Sequence, residues 1–250
     1  MNKKIKKALI LTLFSILMTN IYSTGIKVVT EKLMPYSYKD NSGNVSGFST
    51  QIVKKLMEET GIKGSISVHS WSNAFDIALT EKNVLIYSIG RNTEREKLFK
   101  WVGVITDYKI FFYGLKSRKD IKINSLDDAK KFYIGTVSRD FREQFLIEKG
   151  FIKNQNLYSI HEDTLNIKKL IAGRISLWPV NDLTVSYIAK ENKIDISRLE
   201  NKYTLLEIEL YLAFSTKTSD EIVRKFSDAL KKIKSDGTYQ KIKNNYLFNT

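Results

Sequence analysis

The chain has 250 residues, a formal net charge of +14, 42% hydrophobic residues and no cysteine. The lack of cysteine excludes disulfides, thiol catalysis and cysteine-linked lipidation, and the apolar fraction is enough for a buried core in one or two domains of ordinary size. The charge raises nucleic-acid or membrane-surface binding as function classes. Against both, the lysines are interleaved with Asp, as in DALKKIKSDGTYQKIK, and no RNA-binding aromatic motif accompanies them, so they read as solvated helix faces.

Residues 1–23 place Lys3, Lys4, Lys6 and Lys7 before the apolar run ALILTLFSILM and the more polar TNIYS. A basic start, a short apolar centre and a small residue, Ser23, predict a cleaved secretion signal. The centre is too short for a bilayer span, which needs about 20 apolar residues. With no cysteine to lipidate, the mature chain is expected free in a periplasm.

Next, IKVVTE (Ile26 to Glu31) reads as a buried strand, followed by a loop rich in Gly, Asn and Tyr. Apolar residues at Ile52, Val53, Leu56 and Met57 predict an amphipathic helix capped by Ser49 or Thr50 and stopped by Gly61. SISVHSW (Ser65 to Trp71) alternates as a strand, SNAFDIALT reads as a short helix, and VLIYS (Val84 to Ser88) as a third, buried strand. This alternation predicts a parallel α/β sheet with helices on its faces, and such sheets bind ligands at the carboxyl ends of their strands. Leu33 to Tyr38, Trp71 to Asn73 and Ser88 to Arg95 all follow strands directly.

The stretch SIGRNTEREKLFKWVG (Ser88 to Gly103) sets Arg91 and Arg95 beyond the third strand. A guanidinium is planar, always charged and forked, so it suits a carboxylate, and a Ser88 hydroxyl could donate to the same anion. Two arginines flanked by Glu94 and Glu96 could equally be solvated surface charges.

This stretch resembles the family 3 extracellular solute-binding proteins, receptors of polar amino acid importers, in which a strand ending in Ser precedes a T-x-E-R or T-E-x-R turn. Four further segments agree in order and spacing: PYSYKDNSGNVSGFSTQIVKKLMEETG, KKFYIGTVSRD, KKLIAGRISLWPVND and DALKKIKSDGTYQKIKNNY. The resemblance implies a two-lobed α/β fold of the type II periplasmic-binding-protein kind, with a ligand cleft between lobes joined by two hinge strands. DYKIFFYGL (Asp107 to Leu115) would be the first hinge strand and ELYLAFS (Glu209 to Ser215) the second. Residues 24–112 and 213–250 would form lobe one and residues 113–212 lobe two, which would hold a capped helix at SLDDAKKF, a strand at YIGTVS and a helix at FREQFLIEKG.

The resemblance also implies site roles. Arg95 is expected to hold a ligand carboxylate with Ser88 and with amides at the helix start after Ser138. The ligand ammonium would fall to Asp182 or, counting strictly along the motif, to Asn181, and Ser176 replaces the acid usual within that motif. Tyr36 and Trp71 are expected as aromatic walls, although the usual stacking position aligns better with Leu33. Arg91 and Arg139 are further candidates, with Arg139 and Asp140 forming a bridge across the cleft or touching ligand. His69 and His161 are far apart in sequence and lack an acidic cluster, so no metal is expected. The implied function is a monomeric receptor with no cofactor and no enzymatic step, binding an amino acid or another carboxylate-bearing solute and docking on an ABC permease. The alternatives are a dehydratase-like enzyme on the same scaffold and a stand-alone sensor or interaction protein.

Overall fold

Every residue of VLIYSIG is buried, so the strand it forms must pair on both edges and be covered on both faces. In the computed structural model, which describes residues 25–248, it does both. The strands are β1 (Ile26–Glu31), β2 (Tyr38–Lys39), β3 (Val45–Ser46), β4 (Gly64–His69), β5 (Val84–Gly90), β6 (Phe99–Leu115), β7 (Ile134–Val137), β8 (Leu157–Ile160), β9 (Trp178–Val180) and β10 (Leu199–Ser215). The helices are α1 (Phe48–Thr60), α2 (Trp71–Thr80), α3 (Leu126–Ala129), α4 (Phe141–Glu148), α5 (Asp163–Ile171), α6 (Asp182–Glu191), α7 (Asp220–Ser235) and α8 (Thr238–Lys243). The expected secretion signal lies outside the described residues. Among those described, no helix is long and apolar enough to cross a membrane.

The main sheet runs β4-β1-β5-β10-β6-β9. β1 is parallel to β4 and β5, as the strand–helix alternation predicts, whereas β10 returns antiparallel to β5, pairing Leu210 with Gly90 and Phe214 with Leu85. One apolar cluster lies between this part of the sheet and α1 and α7, including Phe48, Ile52, Leu56, Phe226 and Ile233. A second cluster lies under α2, with Trp71, Phe75, Ile86 and Phe99.

β6 and β10 are each 17 residues long and pair antiparallel from Phe99–Ser215 to Leu115–Leu199. They carry the chain into a second lobe, where β9 joins β6 at Phe111 to Tyr113 and β7 pairs parallel with β8. That lobe has its own clusters, one around Phe112, Ile134, Leu146 and Leu177, the other around Ile167, Trp178, Val180 and Val185. The hinge strands are longer than the sequence suggests. In β10 the added residues, LENKYTLLEI, are mostly exposed or half-buried and lack the apolar run that marks a buried strand, and in β6 the added FKWVGVIT is largely half-buried and interrupted by Gly103.

Three local expectations shift. SISVHSW ends as a strand at His69, and Trp71 instead opens α2 behind Ser70. Ser49 and Thr50 do not cap α1: both are buried inside it, and Thr50 Oγ1 bonds the Ser46 carbonyl and the Tyr87 hydroxyl. The N-cap is Gly47, at φ 111° and ψ 164°, a conformation essentially restricted to glycine. Gly61 stops α1 in the left-handed conformation, and Ser125 with Asp128 forms a capping box on α3, both as the sequence indicates.

A Cβ at Gly47 would lie 2.5 Å from the Tyr36 carbonyl oxygen and 2.7 Å from that of Pro35. Gly47→Ala is therefore expected to destabilise the chain by roughly 1–3 kcal/mol through backbone strain and displacement of the 35–36 loop. An unchanged urea midpoint would remove Gly47 from the set of positions that shape this loop.

Candidate functional site

The carboxyl ends of β1 and β5 meet the start of α4 from the second lobe, and a cavity of about 40 Å3 lies between them. Glu31, Ser88 and Gly90 line it from the strands, Trp71 and Arg95 from the segments that follow, and Asp140, Phe141 and Arg142 from across the cleft.

Arg95 is only 1% exposed. Its Nη1 donates to the Gly90 carbonyl (3.1 Å), and its Nη2 donates to the Arg139 carbonyl (3.2 Å) and to Gln144 Oε1 (2.6 Å). The guanidinium also stands over the rings of Trp71, Phe75 and Phe141, at 5.2, 5.3 and 5.8 Å. Among the described residues its Nε has no hydrogen-bond partner, and neither does the buried Ser88 Oγ. Burial lowers the Arg95 pKa to about 10, against the pull of Asp140, Glu31 and Glu94, so the side chain remains charged near neutrality. Ser88 sits at φ 60°, a left-handed conformation that a serine adopts only under constraint.

Three acids surround Arg142. Its Nε donates to Asp140 Oδ2 (2.6 Å), its Nη1 approaches Asp163 Oδ2 at 2.8 Å, and Nη1 also donates to the Pro179 carbonyl. Burial opposes the Arg142 charge, but Asp140 and Asp163 outweigh it and hold the guanidinium ionised. Burial raises the Asp140 carboxyl despite Arg142. Among the described residues Glu31 has no such direct partner. Enclosure of its carboxyl raises its pKa from the ordinary 4.5 to about 8; Arg142 pulls the other way, while Asp140 and Asp163 add to the rise.

Of the candidates read from sequence, Ser88, Trp71 and Arg95 line this cavity. Arg139 does not line it: its carbonyl accepts from Trp71 Nε1 (2.7 Å) and Arg95, while its guanidinium grips Asp76 at 2.8 and 2.9 Å. Arg139 thus bridges the cleft through Asp76, whereas Asp140 pairs with Arg142 within its own lobe. Tyr36 does not line the cavity. It is 2% exposed and packs edge-on against Phe48 and Tyr108, leaving Leu33 on the wall. Arg91 faces elsewhere, paired with Glu96 and standing over Trp101 and Tyr211. Asn181 caps α6 and donates to the Lys109 carbonyl, and Asp182 accepts from the Tyr113 hydroxyl at 2.7 Å; neither lines the cavity. The α4 amides are partly engaged as well, because Asp140 Oδ1 takes the Glu143 N–H.

The acids that do face the cavity, Glu31 and Asp140, were only partly visible in sequence. Glu31 ends a buried parallel strand, a position that points into such sites. Arg142 gave no signal, since FREQ reads as an exposed helix turn. The two histidines converge on one second cavity, although 91 intervening residues separate them in the chain. Among the described residues no group of three or more potential ligands could hold a metal ion.

The family model described as "Bacterial extracellular solute-binding proteins, family 3" matches residues 26–250. The chain belongs to this family. A relative from Haemophilus influenzae, a probable amino-acid ABC transporter-binding protein, is 21% identical over 83% of this chain and 78% of its own length. The L-cystine-binding protein TcyJ of Escherichia coli (strain K12) is 20% identical over 82% of this chain and 76% of its own. Among solved structures, a histidine kinase sensor domain similar to periplasmic binding proteins superposes with a TM-score of 0.82 at 17% identity, covering 90% of this chain and 96% of that one. The fold is thus the two-lobed, type II one of family 3.

In this family 3 chain the raised Glu31 pKa has a definite sign. Between about 4.5 and about 8 the folded chain keeps a proton that the unfolded chain has lost, so stability falls as pH rises through that window. Glu31→Gln is expected to be more stable than the parent at pH 8 and equal to it near pH 4, read as the difference between their melting temperatures across pH. A pH-independent difference would show that Glu31 titrates normally.

Proposed function

We propose that this protein is the extracytoplasmic receptor of an ABC importer and captures a small amino-acid-like zwitterion between its lobes. The observation that carries this reading is the pairing of two buried donors without partners, Arg95 Nε and Ser88 Oγ, on residues lining one cavity with the Glu31 carboxyl. Removing an amino acid from water requires that both of its charges be paired. Arg95 and Ser88 take the carboxylate. Glu31, ionising as it does so, takes the ammonium, the role that the sequence motif suggests for Asp182 or Asn181. Trp71, already stacked on Arg95, forms the flat wall.

The relatives named for amino-acid and L-cystine binding support an amino acid as solute. In this reading the chain is exported, its signal is cleaved within residues 1–23, and it works unlipidated and as a monomer in the periplasm before docking on the permease. Its lobes divide near residues 112–113 and 212–213, and ligand stabilises the closed arrangement. The mechanism is capture and release, without bond-making.

Isothermal titration against a panel of L-amino acids tests this directly, with ligand recovered and analysed for turnover. Arg95→Ala is expected to eliminate binding. Arg95→Lys should weaken it by at least about tenfold, since lysine supplies a charge but no fork. Arg91→Ala and Asp182→Asn should stay within about twofold, as exposed groups away from the cavity do. If Arg91→Ala and Arg95→Ala weaken binding equally, Arg95 is not the anion clamp.

A further inference from the structure

Glu31 and Trp71 line a second cavity as well, of about 360 Å3, on the outer side of the Arg95 chamber. Enclosed small-molecule sites run to roughly 300–1,000 Å3. The inner chamber, at about 40 Å3, falls far short of that range and suits only the anchoring end of a ligand, whereas the outer one reaches it.

The outer chamber is built from both lobes: Lys32, Lys39 and His69 from the first, His161 and Glu162 from the second. Their hydrogen bonds leave specific groups available. Lys32 is committed, with Nζ 3.1 Å from Glu191 and 3.8 Å from Glu162. The His69 ring is held at both nitrogens, by Ser67 Oγ (2.8 Å) and Asn73 Nδ2 (3.2 Å). Glu162 also accepts from the Thr164 hydroxyl. What remains is donor-rich. Among the described residues the Lys39 ammonium lies near no carboxylate within salt-bridge reach, and the His161 ring makes no hydrogen bond to any of them.

We infer that the outer chamber is a distal subsite for a second carboxylate, so that the solute is an elongated amino acid with an acidic far end, its α-carboxylate on Arg95 and its distal carboxylate between Lys39 and His161. This rests on the Arg95 reading of the inner chamber. Trp71, on the wall of both chambers, supports the chain linking the two ends. A single short side chain leaves the Lys39 end unfilled, and an uncharged long one forgoes its charge-assisted hydrogen bonds.

The test is a length series measured by titration calorimetry on the purified protein: L-aspartate, L-glutamate, L-2-aminoadipate and L-2-aminopimelate, with L-norleucine as a long uncharged control. Affinity is expected to rise along the acids and to exceed that for norleucine by about tenfold or more, the scale of one hydrogen bond to a charged group. Lys39→Gln and His161→Gln, both at the cavity surface, should each erase most of that advantage while leaving norleucine binding within about twofold. Equal binding of norleucine and the longest acid, or equal losses for both ligands in the variants, would overturn the distal subsite. In that case a loss of all binding in Arg95→Ala would leave the inner clamp standing. If none of the four acids or norleucine binds, the clamp reading and the distal subsite fall together.

Discussion

The site depends on a guanidinium that is buried with no carboxylate among the described residues in salt-bridge contact. A buried ion normally either meets its counter-ion or shifts toward neutrality. Arg95 does neither completely. Its charge is held by three oxygens, from Gly90, Arg139 and Gln144, and by three aromatic rings. A cation over an aromatic face gains about 2 kcal/mol when desolvated, so the Trp71, Phe75 and Phe141 rings offset much of what water would have supplied. The residual cost appears as the pKa lowered to about 10. An anion reaching Nε would recover that cost, which is why the cluster reads as preorganised for one.

Arg142, only a helix turn into the second lobe, illustrates the contrast. It is equally buried, yet Asp140 and Asp163 satisfy it within its own lobe. With those two acids committed to Arg142, Glu31 is the carboxyl in the cavity with the least compensation, and its raised pKa follows. The inner charges then amount to two guanidiniums against two carboxylates, with a third acid carrying a proton over part of the neutral range. The zwitterion proposed above would fit that balance: its carboxylate would meet Arg95, and its ammonium would replace the proton on Glu31. A simple cation would meet Arg95 as a like charge, and a simple anion would leave Glu31 protonated.

Much of this was legible from the chain, and the limits of that legibility are physical. VLIYSIG and IKVVTE announce buried strands because apolar residues dominate them, with Lys27 the one exposed side chain in the two, and Ser88 and Glu31 are informative because they stand at or near those ends. Gly61 and Ser125 mark helix boundaries through local backbone chemistry that needs no tertiary context. Tyr36 and Arg142 are different. An aromatic in a loop and an arginine on a short helix have the same local pattern whether they face solvent, core or ligand, and only the packing of Phe48 and Tyr108 in one case, and of Asp140 and Asp163 in the other, decides. His69 and His161 were opaque for the same reason, since their meeting depends on how one lobe sits against the other.

That meeting is made by the protein itself. Trp71 and Ser72, at the start of α2, donate to the main-chain carbonyls of Arg139 and Ser138; the Arg139 guanidinium grips Asp76; Arg95 reaches Gln144; and Lys32 reaches Glu191. Most of these bonds join α2 and the β5 exit to the segment before α4, and Arg139 holds there at φ 62°. Closing forces therefore converge on the same few residues that border the anion chamber. A ligand shifts an open–closed balance only by the contacts it makes in one state and not in the other. Here Arg95 belongs to both sets of contacts: its Nη2 ties the lobes while its Nε faces no partner. In the proposed reading, ligand affinity and lobe closure are coupled through this one side chain, so substitutions at Asp76 or Gln144 would act on affinity without touching the solute.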